Sequence, residues 1–185
     1  MFTMLKTRLK LFKDDVAGSA SVEAAIVIPF IFWAFGAGFT FFEAYRAQAV
    51  AEKAAYAVSD MISRETLEIS PDYITNMRKI YRDLSGLTNA ETALRVTVMR
   101  WDEEDGRLYI DWAKRRGDIP RLRNRDVADY QDLLPTMVDN ERIILVETSS
   151  DYSPAFNFAL PPRQIETFVF VRPRYAPQLV FNSDA

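Results

Sequence analysis

The chain has 185 residues, of which 49% are hydrophobic and 13% aromatic, and it carries a formal net charge of −3 at pH 7. It is long and apolar enough to fold as a domain with a core, and its slight negative charge gives it no general attraction to nucleic acid. It contains neither cysteine nor histidine, which removes disulfides, thiol nucleophiles and the commonest general base and metal ligand, so we expect no enzyme, cofactor or metal site.

A basic leader opens the chain and is followed by a long apolar run. Residues 1–18 contain two aspartates and four basic side chains, namely Lys6, Arg8, Lys10 and Lys13. Residues 24–42 contain no charge and are bracketed by Glu23 and Glu43. Their length is close to the ~20 residues that a helix needs to cross ~30 Å of hydrocarbon. The positive-inside rule then predicts a cytoplasmic N-terminus and places the chain beyond Glu43 outside.

Three structures could account for this run. A buried helix of a soluble protein rarely stays uncharged over this length. A secretory signal peptide has a shorter apolar core, usually ~7–15 residues. A membrane anchor fits best. Within it, Pro29 predicts a kink, because proline lacks the N–H donor and crowds the preceding turn.

The residues at the start of the run carry a family resemblance. From Gly18 to Pro29 the chain reads GSASVEAAIVIP. This segment resembles the N-terminal signature of the TadE-like pilus-assembly proteins, minor pseudopilins of the tight-adherence (Flp-type) pilus. The shared pattern is a glycine after a basic leader, four small or apolar residues, a glutamate, and an apolar run with an early proline. The similarity covers residues 13–47, and residues 171–177 (VRPRYAP) resemble the C-terminal ends of some relatives.

The resemblance implies processing and a role for two residues. A membrane-bound prepilin peptidase would cut between Gly18 and Ser19, which leaves Glu23 as the fifth residue of the mature chain. A carboxylate at the edge of an apolar segment needs a partner, and the new α-amino group of Ser19 on a neighbouring subunit would supply it. The alternative is that headgroup water simply solvates Glu23. Implied partners are the prepilin peptidase, other pilins or pseudopilins, the inner-membrane assembly platform and membrane lipid.

Two helices are expected next. The first continues from the membrane to about Glu65, because strong helix breakers are absent from residues 43–65. An apolar stripe predicts its packing face on the rest of the chain: Ala47, Val50, Ala54, Val58 and Met61. The second starts at Ser70-Pro71 and ends near Gly86.

Beyond the helices the pattern changes to strands. Apolar residues alternate in 94–98 and 108–112, and the acidic segment 102–106 between them predicts a hairpin turn rather than a calcium loop. Further strands are expected at 143–146 and 165–172, with a short helix at 126–137.

Two other segments could form surfaces. The loop expected at 149–162 carries three aromatic residues, Tyr152, Phe156 and Phe158, which either pack on the sheet or form a partner surface. The basic residues Lys114–Arg116 with Arg121, Arg123 and Arg125 predict a solvated loop, with contact to lipid headgroups or a partner as the lesser alternative.

Together these patterns predict an α+β protein. A basic leader (1–18) precedes a transmembrane and extended spine helix (19–65) and a periplasmic head (66–185), in which helices cover an antiparallel sheet of about four strands. The predicted function is that of a bacterial inner-membrane minor pseudopilin that takes part in assembly of a Tad/Flp-type pilus. One rival is an uncleaved single-pass scaffold of the cell envelope. The other is a membrane-tethered enzyme that uses carboxylates, although no spaced pair of them stands out.

Overall fold

The computed structural model describes residues 17–86, 92–156 and 159–183, and describes side chains from Ala20 onward. The elements in chain order are α1 (Ala17–Ser63), α2 (Pro71–Ser85), β1 (Thr92–Asp102), β2 (Arg107–Arg116), α3 (Ala128–Gln131), β3 (Arg142–Tyr152) and β4 (Arg163–Val171). The strands form an antiparallel sheet in the order β2-β1-β3-β4. The α+β class is therefore confirmed, whereas the first 16 residues of the predicted leader lie outside the described residues.

Helix α1 packs on the sheet with its C-terminal half. Its 47 residues extend about 70 Å at 1.5 Å per residue. The buried face consists mainly of small residues, which bring the helix axis close to β3, β4 and α2: Ala44, Ala51, Ala54, Ala55, Val58 and Ile62. The predicted stripe was wrong at its end, because Met61 is 44% exposed while Ile62 is fully buried. Both residues lie about one turn beyond Val58, and the position of the sheet determines which of the two side chains is buried.

Helix α2 has the ends that its sequence predicts. The Ser70 hydroxyl accepts a hydrogen bond from the Tyr73 N–H at 3.1 Å, and Pro71 occupies the first turn, where its missing donor is not needed. Gly86 ends the helix in the left-handed conformation, at φ 75°, and donates its N–H to the Arg82 carbonyl. Ile74, Met77 and Tyr81 form the buried side of the helix.

Strand β3 is longer than its apolar core suggests. The polar residues after Val146 continue the strand to Tyr152, so the expected loop at 149–162 begins only after that residue. Residues 147–150 remain buried because β3 is an inner strand that pairs with β1 on one side and β4 on the other, whereas Asp151 is exposed. The hydroxyls of Thr148 and Thr167 lie 2.6 Å apart and satisfy each other across β3 and β4.

Both faces of the sheet are covered. Helices α1 and α2 pack against Leu94, Val96, Val98 and other apolar residues of one face. On the other face the coil between β2 and β3 buries Leu122, Val127 and Met137. The helix predicted at 126–137 was wrong in extent: a short 3₁₀ turn precedes the four-residue α3, and the following residues are not helical. Pro135 keeps the helix from reaching Met137, because proline disfavours helical backbone in the residue before it and lacks the N–H donor.

The C-terminal segment ties the two layers together. The Arg174 N–H donates to the carbonyl of Ser63 at the end of α1, at 2.8 Å. Leu179 is buried in the core beside the helices, and its carbonyl accepts from Trp112 Nε1 at 2.8 Å. The end of α1 is thereby joined to edge strand β2.

Candidate functional site

The N-terminal half of α1 projects from the head with its apolar side chains uncovered. Every residue from 20 to 35 is exposed, including Phe30 at 69%, Phe32 at 71% and Phe35 at 72%. Burying apolar surface is worth about 25 cal/mol per Å², and soluble monomers seldom expose patches of this size. The helix is long and apolar enough to cross a membrane, a property that it shares with signal sequences. The architecture, an apolar N-terminal helix whose second half packs on an antiparallel sheet, is pilin-like.

The residues predicted to act in processing and assembly lie at the start of this helix. Gly18 and Ser19 are helical, among the first described residues of α1, and their side chains are outside the described part. Glu23 is exposed and lies four residues after Ser19, so it occupies the same side of the helix one turn further on. Cleavage after Gly18 and pairing of Glu23 remain predictions.

Pro29 lies within the continuous helix. Its missing N–H removes the bond that Ala25 would otherwise accept. Pro29, Phe30 and Trp33 line a shallow apolar depression of about 400 Å³ on the exposed half of the helix. The predicted kink remains a prediction.

The head meets α1 before the apolar run ends. Thr40 is 1% exposed and donates its hydroxyl to the Gly36 carbonyl at 2.8 Å. The rings of Phe39 and Phe156 meet edge to face, with centroids 6.3 Å apart. Phe156 therefore packs on α1, a contact that the sequence did not predict. Phe158 lies outside the described residues.

Tyr152 lies at the base of the same loop. Burial raises the pKa of its hydroxyl, and the negative charge of Glu43 raises this pKa further. Glu43, the residue that ends the apolar run, also pairs with Arg46 at 3.6 Å. The boundary between the apolar and polar halves of α1 therefore coincides with the β3–β4 end of the head.

A buried ion pair lies on the opposite face of the sheet. Arg95 of β1 donates from Nε and Nη2 to the two carboxylate oxygens of Glu147 on β3, both at 2.6 Å. The Tyr130 hydroxyl donates to Glu147 at 2.8 Å and accepts from Arg95 at 2.9 Å. Burial, followed by the hydrogen bond to Glu147, raises the pKa of Tyr130 to about 12. Although burial alone would lower the pKa of Arg95, its bonds to Glu147 and Tyr130 raise it overall.

This pair was missed by the sequence analysis. Arg95 stands at a polar position of the alternating pattern in 94–98, which predicts exposure rather than burial, and its partner lies 52 residues away. A groove of about 750 Å³ runs beside the pair. Arg95 also donates to the Pro120 carbonyl at 2.6 Å, so its guanidinium holds the covering coil on the sheet. In the described part of the chain, no three acidic residues are grouped as metal ligands would be.

The basic residues of β2 are engaged within the head. Lys114–Arg116 lie on a strand, not in the expected loop. The Lys114 ammonium lies 4.1 Å from the centre of the Phe181 ring. Arg115 donates to the Ile119 carbonyl at 2.7 Å, and Arg116 donates to the Pro71 carbonyl at 2.9 Å. Arg121, Arg123 and Arg125 are exposed on the covering coil.

The acidic residues of the β1–β2 turn also bond locally. The carboxylate of Asp105 accepts from the Tyr109 hydroxyl and, at 3.2 Å, from Arg107. The bond from Tyr109 is the main reason that the pKa of Asp105 is lowered. Gly106 closes the turn at φ 62°, which confirms the predicted hairpin.

Compared with known proteins, the chain matches no protein-family model, and it gives no significant match to a curated protein or to a solved structure. Its architecture and its residues are therefore the basis for a functional assignment.

Proposed function

We propose that the chain is a non-enzymatic minor pseudopilin of the TadE-like type, which takes part in assembling a Tad/Flp-type pilus from the bacterial inner membrane. The observation that supports this most is the division of α1 into an uncovered apolar half and a half packed on a sheet. The first half can reside in lipid or among the helices of other subunits, while the second carries the head. The signature around Gly18 and Glu23 lies where that apolar half begins.

Leader cleavage fits the position of Gly18. A peptidase needs the bond between Gly18 and Ser19 in an extended form, whereas the described structure has both residues in α1. Glycine disfavours helix by about 1 kcal/mol relative to alanine, so Gly18 lowers the cost of extending the backbone at this bond. The leader peptidase would be the first partner of the chain, acting on the cytoplasmic side.

Assembly would then depend on Glu23. After cleavage, the α-amino group of Ser19 is a cation at the same end of the helix as this carboxylate. In a bundle of apolar helices, a charge left without its partner costs about 3–5 kcal/mol. At 1.4 kcal/mol per factor of ten, this corresponds to more than a hundredfold weaker addition of a subunit.

Processing is tested by N-terminal sequencing of the protein from membranes of its native host. The expected mature chain begins at Ser19, and Gly18→Leu should leave the longer precursor. A native chain that keeps its leader would instead identify an uncleaved scaffold of the cell envelope.

The role of Glu23 is tested by Glu23→Gln, which keeps the side-chain size and removes the charge. This variant should insert and be cut normally but fail to support pili. Glu43→Gln is the matched control at the other end of the apolar run, because its exposed pair with Arg46 contributes about 0–1 kcal/mol. Normal piliation in Glu23→Gln would refute the proposed pairing.

A further inference from the structure

The β3–β4 loop meets α1 within the apolar run. Phe156 is 46% exposed and contacts Phe39, which lies three residues before the end of the run at Phe42. We propose that the loop around Phe156 is seated in the lipid, at the boundary between hydrocarbon and headgroups on the outer face, as a second membrane contact of the head. This inference rests on the proposed membrane span.

The length of the helix places Phe156 at that depth. If Glu23 marks the inner edge of the hydrocarbon, Phe39 lies about 24 Å further along the axis at 1.5 Å per residue. The hydrocarbon is ~30 Å thick, so Phe39 lies about 6 Å inside its outer edge. Tilting α1 would place Phe39 deeper still. Since Phe156 touches Phe39, the loop cannot lie beyond the headgroups while the span is in place.

The residues around this contact suit the boundary region. Tyr45, 80% exposed, follows Phe42 by one turn, and aromatic residues of this kind concentrate at membrane interfaces. The exposed Arg46, which pairs with Glu43, comes next in the outward direction on α1, and the exposed Arg163 lies opposite Tyr152 at the start of β4. Both arginines can face anionic headgroups.

The backbone of the loop is also suited to a poorly hydrated position. Irregular backbone is excluded from the hydrocarbon interior because its N–H and C=O groups find no partners there. The loop carries the exposed Pro161 and Pro162, each without an N–H donor, which reduces the number of groups to desolvate. Interfacial elements typically enter the membrane by ~5–10 Å, in agreement with the depth of Phe39.

The absence of cysteine from the chain makes the inference directly testable. Single cysteines are introduced into the full chain as Phe156→Cys and, in case the ring contact is needed for folding, Ala155→Cys at the neighbouring exposed residue. Ile31→Cys reports on the middle of the span, and Leu67→Cys reports on the head beyond α1, where the side chain is 74% exposed. Each variant is labelled with an environment-sensitive fluorophore and reconstituted in vesicles of phosphatidylcholine and phosphatidylglycerol, with or without nitroxide-bearing lipids.

We expect nitroxide lipids to quench the labels at residues 31, 155 and 156 and to leave the label at 67 unchanged. Emission from the loop labels should also shift to shorter wavelength relative to the label at 67. If residue 31 is quenched while 155 and 156 behave like 67, the loop faces water or a protein partner and the inference is overturned, although the span stands. If residue 31 is not quenched, the span itself is refuted, and the loop inference with it.

Discussion

The Arg95–Glu147 pair offers a quantitative test of how the head is held together. The Arg95 side chain is 8% exposed and that of Glu147 is 12% exposed, so water screens their charges poorly. Arg95→Met removes the guanidinium and leaves the carboxylate of Glu147 buried, with the Tyr130 hydroxyl as its remaining donor. Breaking a buried pair in this way costs about 3–5 kcal/mol, a large share of the 5–15 kcal/mol by which proteins are typically stable.

Replacing both partners should cost much less. In Arg95→Met/Glu147→Leu no charge is left buried, and exchanges of this kind are often neutral or stabilising by about 1–4 kcal/mol. The Tyr130 hydroxyl then lacks its partners, at about 1–3 kcal/mol, so Tyr130→Phe is added as a third change. We expect the triple variant to be more stable than Arg95→Met alone.

The assay is equilibrium unfolding in urea of the full chain in detergent micelles at pH 7, followed by near-ultraviolet circular dichroism. Arg64→Met is the matched control, because Arg64 forms an exposed pair with Asp60 that is worth about 0–1 kcal/mol. If Arg95→Met is no more destabilising than Arg64→Met, the buried pair does not stabilise the head. If the effects of Arg95→Met and Glu147→Leu simply add, the two side chains do not stabilise each other.

Three further predictions concern topology, backbone and pH. A reporter that is active only in the periplasm should work when fused after Ala185, and its silence beside an active cytoplasmic reporter would contradict the proposed orientation. Gly117→Ala should destabilise the head by about 1–3 kcal/mol in urea unfolding, because φ is +83° and the new Cβ would lie 2.6 Å from the Thr92 carbonyl oxygen; an unchanged midpoint would contradict this. Burial and the nearby Glu65 raise the pKa of Tyr73 to about 12, and burial and Glu147 raise that of Tyr130 to about 12. Their neutral forms therefore stabilise the fold below pH 10, and this stability is lost as the pH rises through about 12. Unfolding measured across that range should show a smaller loss in Tyr73→Phe/Tyr130→Phe, and an equal loss would refute the assignment.

Features that depend on neighbouring residues could be predicted from the sequence. The cap at Ser70, the left-handed end at Gly86 and the turn at Gly106 each arise from a few consecutive residues. The proposed processing residues were likewise found from a short motif. Such features could be predicted because hydrogen bonds and backbone preferences over three or four residues produce them.

Contacts between distant segments are set by the packing of the whole fold. It buries Ile62 rather than Met61, continues β3 through polar residues, and brings Arg95 to Glu147. It also places Phe156 against Phe39, the contact on which the lipid proposal rests. None of these follows from local pattern, because burial and pairing on a sheet are set by strand order and by the position of the helices. A polar or charged residue is stable in those places only through partners that the fold supplies.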